Sequence, residues 1–166
     1  MRARAAMKIV VMSDTHLSRP TDHFRALCDC YGKDADLVIH LGDLVSTGIL
    51  DYLEQYPLEA VAGNMDPAAI QERLPPTKVL RLGKFRVGLA HGWGSHHAIR
   101  ARLAHHFPTV DAILFGHTHQ PMLLEEDGIF WFNPGSVSLG RGALSHSLGI
   151  LHVNEKLTGE IIALQE

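Results

Sequence analysis

His117 and His119 sit two residues apart, directly after the apolar run Ala112-Ile113-Leu114-Phe115. A short apolar run of this kind reads as a buried strand, and on extended backbone positions i and i+2 share a face. The spacing therefore predicts two imidazoles aimed the same way out of the end of a sheet. That arrangement suits metal ligation, and other strand-like runs end on residues able to complete it. Lys8 to Ser13 leads into Asp14-Thr15-His16, and Leu37 to Leu41 leads into Gly42-Asp43. Leu58 to Ala62 leads into Gly63-Asn64, and Phe85 to Ala90 into His91-Gly92. In open α/β sheets, ligand sites gather beyond the carboxyl ends of the strands. Asp14, His16, Asp43, Asn64, His91, His117 and His119 are thus candidates for one site. Two carboxylates, four imidazoles and an amide oxygen exceed the needs of one four-coordinate ion. They suit two divalent ions with one carboxylate shared. Imidazole and oxygen without thiolate favour manganese, iron, zinc or nickel over calcium or magnesium; manganese is the expected metal.

Helical patterns separate the first strands. Asp22 is the expected cap of a helix carrying Phe24, Leu27, Cys28 and Tyr31 on one stripe, and Ser46 or Thr47 starts another through Tyr56. Pro67 opens a short helix to about Leu74, and Ser95 is the expected cap of one reaching about His106. Later strands come as hairpins: 78–82 with 85–90, 122–126 with 129–132 about Asp127-Gly128, and 148–153 with 160–164. The pattern predicts an α/β fold with two mixed β-sheets covered by helices.

Composition narrows the function classes. The chain has 166 residues, 46% apolar and 20% charged, which suits a folded core in one domain over residues 7–166. Residues 1–6 are expected to be a disordered extension. A net charge of −3 argues against a general nucleic-acid-binding surface. No apolar run approaches the roughly 20 residues that span a bilayer, and Met7 to Met12 is too short for a signal-peptide core. Cys28 and Cys30 lie two apart in a helical pattern, so their thiols point apart and no mutual disulfide is expected. A reduced, cytoplasmic protein is the default reading. Homo-oligomer formation stays open.

Together, Asp14-x-His16, Gly42-Asp43, Gly63-Asn64-x-Asp66, His91-Gly92 and Gly116-His117-x-His119 resemble the calcineurin-like metallophosphoesterase family. Its small single-domain bacterial and archaeal phosphodiesterase branch is the most similar part. The resemblance implies an αββα sandwich of two mixed sheets. It also implies a first ion on Asp14, His16 and His119, a second on Asn64, His91 and His117, and Asp43 bridging both. The implied reaction is hydrolysis of phosphoesters, phosphodiesters before monoesters, by water activated between the ions. Asp43, Asn64 and His91 form the implied catalytic set, and the substrate would be a small phosphodiester or nucleotide-like molecule. The turn Asn133-Pro134-Gly135-Ser136 would lie beside the metals, giving Asn133 and Ser136 supporting places. Arg141, between two glycines, is a candidate phosphate ligand, and Asn64 is a second substrate contact. A rival reading is a metal-binding scaffold, because the retromer complex uses a protein resembling this fold as an interaction subunit. A full ligand set favours the enzyme.

One position departs from the family. Many members carry a histidine, thought to protonate the leaving group, where this chain has Met65, which cannot transfer a proton. Asp66 would orient that histidine. Among the other histidines, His40 falls inside a strand and reads as a hydrogen-bonded core residue. His96 and His97 could touch substrate or supply the acid, but a helix-start position is the favoured reading. General-acid help is worth about 10²–10⁴-fold. Met65→His should therefore raise kcat/KM for alkyl diesters far more than for aryl diesters, whose leaving groups depart unassisted. Steady-state kinetics on both classes at equal metal occupancy checks this, and an equal change in both contradicts it.

Overall fold

The computed structural model describes residues 6–138 and 146–165, so Arg141 and most of the 1–6 extension lie outside the described residues. Its elements run β1 (Met7–Met12), α1 (Asp22–Gly32), β2 (Leu37–His40), α2 (Thr47–Leu53), β3 (Leu58–Ala60) and α3 (Ala68–Gln71). They continue with β4 (Thr77–Leu82), β5 (Phe85–Ala90), α4 (Ile99–His106), β6 (Ala112–Phe115) and β7 (Met122–Glu126). β8 (Ile129–Asn133), β9 (His146–Val153) and β10 (Leu157–Leu164) complete the chain. One sheet has the order β10-β9-β1-β2-β3 and the other β4-β5-β6-β8-β7. Each holds three parallel strands, β1-β2-β3 and β5-β6-β8, with antiparallel strands outside them.

Alternation along the strands builds the layers. Ile9 and Val11 of β1 face the second sheet, where they meet Val87, Leu89, Leu114 and Phe132. Val10 and Met12 face the other way, against Phe24, Leu27, Ile49, Leu50 and Ile70 of the first three helices. Ile113, Phe115 and Trp131 on the far side of the second sheet pack under Ile99 and Leu103 of α4. The result is helix, sheet, sheet, helix. Fully burying each large aliphatic or aromatic side chain contributes about 1.5–3 kcal/mol. That burial is what offsets the cost of the polar rim described below. No helix among the described residues is long and apolar enough to cross a membrane.

Several boundaries differ from the sequence expectation. Thr21, not Asp22, caps α1, its hydroxyl accepting from the Phe24 N–H at 3.1 Å. The final hairpin pairs from His146 through Leu164 about a tight turn at Asn154–Lys156, longer than the expected arms. Ser95 does not cap α4. That helix begins at Ile99 after Ala98, which is left-handed at φ 60°, with no side-chain cap. The cause is Arg102, whose guanidinium donates to the carbonyls of Trp93 (3.0 Å), His97 (3.2 Å) and Ser95 and keeps residues 93–98 out of the helix.

Where the sheets meet, Phe132 leans on Gly149, which sits between Val11 and Ile161 in the first sheet. A Cβ at Gly149 would overlap the Phe132 ring. Gly149→Ala should cost about 1–3 kcal/mol through overpacking, read as a lower urea midpoint at unchanged m.

Candidate metal centre

The carboxyl ends of both parallel triplets deliver polar residues to one rim. Asp14 follows β1, Asp43 follows β2, Asn64 follows β3, His91 follows β5, and His117 and His119 follow β6. Asp14 is fully buried and its two oxygens have different tasks. Oδ2 accepts from the Ser13 hydroxyl at 2.6 Å and the His117 N–H at 3.2 Å. Oδ1 faces the Nε2 atoms of His119, His16 and His91 at 3.1, 3.6 and 3.8 Å. Asp43 repeats the division. Its Oδ1 accepts from the Met65 N–H at 2.8 Å, while Oδ2 lies 3.4 Å from His16 Nε2 and 3.3 Å from His91 Nε2.

Asp14 Oδ1, His16 Nε2 and His91 Nε2 are buried without a hydrogen-bond partner among the described residues. Buried polar atoms are nearly always partnered, so three converging on one spot mark a place for a cation. Two overlapping groups have metal-ligand spacing, Asp14 with His16 and His119, and Asp14 with Asp43 and His91. Backbone carbonyls set the imidazole tautomers. His91 Nδ1 donates to the Leu41 carbonyl at 2.8 Å, which turns the lone pair of Nε2 inward. His117 Nε2 donates to the Gly94 carbonyl at 2.9 Å, which leaves the lone pair on Nδ1, though His117 belongs to neither metal-spaced group.

The two histidines after β6 do not share a face of extended backbone. His117 and His119 are left-handed at φ 69° and 59°. Past Gly116, whose N–H still binds the His91 carbonyl at 2.9 Å, the pairing with β5 ends. The His117 N–H turns instead to Asp14, and Asn133 Nδ2 binds the Gly116 carbonyl (3.1 Å) and the Thr118 hydroxyl (3.0 Å). His119 consequently sits beside His16 and His117 beside His91, ring centroids 5.3 Å apart in each pair. Gly116 is where the β1 and β6 loops touch, since a Cβ there would overlap Ser13.

Other residues brace the candidate ligands. Asp66 is buried and accepts from the N–H groups of Asp43 (2.9 Å), Val45 (2.7 Å) and Gly63 (2.7 Å), tying the β2 and β3 loops together. Ser136 donates to the Asp14 carbonyl at 2.8 Å. Asn64 is exposed at the rim and lines a cavity of about 570 Å³ shared with His91. Met65 is 59% exposed beside it. Ser13 and the carbonyls of Leu41 and Gly94 escaped the sequence reading. Only Ser13, adjacent to Asp14, carried any signal.

The sequence profile of the Calcineurin-like phosphoesterase superfamily domain matches residues 7–156. The chain belongs to that superfamily. A probable metallophosphoesterase of Methanothermobacter thermautotrophicus is 37% identical, with 94% of this chain and 92% of that protein aligned. The phosphodiesterase YfcE of Escherichia coli is 30% identical over 96% and 94%. Among solved structures, a conserved phosphoesterase-like protein of Streptococcus pneumoniae superposes with TM-score 0.76 at 25% identity, covering 97% of this chain and 91% of that one. Vps29 of Entamoeba histolytica superposes with TM-score 0.74 at 23% identity over 96% and 100%, a likeness of fold.

Electrostatics of this phosphoesterase rim are those of a cation site. Burial alone would raise the Asp14 pKa, but His119, His16, His91 and Ser13 hold it well below the usual carboxylate range. Burial likewise opposes ionisation of Asp43, and the neighbouring His91 and the Met65 N–H lower its pKa. His119 is raised by Asp14. His91 is raised by Asp43 and Asp14 against the opposing effect of burial.

His40 behaves oppositely. It is fully buried, bridging the Thr15 hydroxyl (2.7 Å) and the Gly42 N–H (3.1 Å), and burial lowers its pKa from 6.5 to about 4. Between those values the unfolded chain binds a proton that the folded one refuses. Stability is therefore present above about pH 6.5 and lost as pH falls toward 4. In chelator-treated protein the loss from pH 7 to pH 5 should include about 2 kcal/mol from this group. Urea unfolding at both pH values should show that part missing in His40→Gln.

Proposed function

We propose that this protein hydrolyses phosphodiesters with two divalent transition-metal ions, manganese foremost. The observation that carries the reading is the convergence of Asp14 Oδ1, His16 Nε2 and His91 Nε2, buried and unpartnered among the described residues, beside a second carboxylate. In this reading Asp14, His16 and His119 hold one ion, and Asn64, His91 and His117 Nδ1 hold the other. Asp43 Oδ2, lying between His16 and His91, is the shared ligand. Such a pair of ions supplies Lewis acidity to phosphoryl oxygens and a water acidified toward neutral pH.

The chain's own groups do the positioning. Backbone carbonyls fix His91 and His117 in one tautomer each, so neither ring must rotate to bind. In this reading Asn64, exposed on the rim, contacts the substrate phosphate. Among the described residues no lysine or arginine lines the cavity adjoining Asn64 and His91, which suits a diester's single negative charge better than a monoester dianion. Met65 offers no proton to a leaving group, a second reason to favour esters with good leaving groups. The relative named as a phosphodiesterase, 30% identical along nearly the whole chain, supports the same choice.

Metal-stripped protein reloaded with manganese should hold two ions per chain by elemental analysis. It should turn over an aryl diester faster than the matching monoester, with activity falling as pH drops through the imidazole range. Asp43→Ala should lower occupancy of both ions together. One tightly held ion in the wild type, or a preference for the monoester, would overturn the reading.

A further inference from the structure

Trp93 is a large aromatic side chain left 41% exposed on a loop that is anything but loose. Gly92 and Gly94 on either side of it are left-handed, at φ 102° and 78°, and Arg102 of α4 holds the Trp93 carbonyl at 3.0 Å along with those of Ser95 and His97. The indole meets the His106 ring edge-on at 5.4 Å, and His106 is tied in turn to the Thr77 hydroxyl at 3.1 Å. Packing does not need this residue: the core under α4 is made by Ile99, Leu103, Phe107 and Trp131. A braced loop presenting an exposed indole has the form of a binding platform.

The platform faces the proposed metals. Trp93 lines the same cavity of about 570 Å³ as Asn64 and His91, with Leu74, Pro76 and Gln71 on its other sides. That volume is within the range of small-molecule sites. Among the described residues its walls carry no lysine or arginine, so they suit an uncharged group rather than a second phosphate. A flat indole and apolar walls select a planar ring. Gln71, whose amide is anchored on the Asp66 carbonyl at 2.8 Å, adds a fixed hydrogen-bonding group at the cavity's side. A ring with polar edges fits all of these features, and an aliphatic substituent fits only the walls.

We propose that this cavity is the subsite for a nucleobase carried by the phosphoester substrate, and that Trp93 determines specificity by stacking on it. The inference rests on the phosphate site assigned above and narrows the substrate to nucleotide esters. The base stacks on the indole while the phosphate reaches the rim formed by Asn64 and His91. Because Trp93 touches neither the phosphate nor the ligand carboxylates, it acts on affinity and selectivity and leaves the metal site alone.

Calorimetric titration of the manganese-loaded protein with adenosine 5′-monophosphate and with ribose 5-phosphate isolates the base, since the two ligands differ only there. The nucleotide should bind about tenfold or more tightly, the size of one base stacked on an aromatic side chain. Trp93→Ala should bring the nucleotide down to the level of ribose 5-phosphate, whose own affinity and the metal content stay unchanged. Trp93→Phe should recover most of the difference. Equal binding of both ligands by the wild type, or equal loss of both in Trp93→Ala, overturns the base subsite while leaving the phosphate reading intact. Binding of neither ligand overturns this inference alone, since both are monoesters and the phosphate reading stands or falls on turnover of the aryl diester.

Discussion

A buried carboxylate whose second oxygen has no donor among the described residues governs this structure. Asp14 ends β1 inside the molecule, with Oδ2 satisfied by Ser13 and the His117 N–H and Oδ1 turned toward three imidazoles. Leaving a charge out of water without a partner costs several kcal/mol. The fold tolerates that cost only because two sheets and four helices bury a large apolar core behind it. Asp43, one strand away, also turns its Oδ2 toward His16 and His91. Two such oxygens facing the same histidines make a site whose stability depends on positive charge, and a divalent metal is its natural occupant.

Holding so many ligands at one point also strains the backbone. Asp14, His16, Asp43, His117 and His119 all have positive φ, five of the eight non-glycine residues that do among those described. Each such conformation costs on the order of 1–3 kcal/mol and persists only where the surroundings over-determine it. Here they do. Asp66 pins three N–H groups of the β2 and β3 loops, Asn133 pins the loop after β6, and Ser136 pins the Asp14 carbonyl. The strain clusters at the candidate ligands of the rim rather than elsewhere in the fold.

The rim divides into two parts with different physics. Its floor is rigid, because ligands are fixed through backbone carbonyls and buried acceptors that belong to the sheets. Its edge is built from side chains the core does not need, Asn64, Met65 and Trp93. Such edge residues could be exchanged without disturbing the floor, since function lives in sites carried on a fold rather than in the fold itself.

Much of this was legible in the sequence. Short apolar runs ending in Asp14-x-His16, Gly42-Asp43, Gly63-Asn64, His91-Gly92 and Gly116-His117-x-His119 mark strands and their carboxyl ends. Both signals are local, and β-sheet topology alone is enough to bring such ends together. What the sequence could not carry is whatever depends on distant partners. The turn that separates His117 from His119 is made by Asp14, more than a hundred residues away, and by Asn133. The late start of α4 belongs to Arg102 reaching back over three carbonyls, which outweighed the capping pattern at Ser95. The choice of oxygen on each carboxylate, and of nitrogen on each imidazole, lies with hydrogen bonds that exist only after both sheets have packed. Local pattern determined which residues reach the rim, and long-range packing decided which atoms they present there.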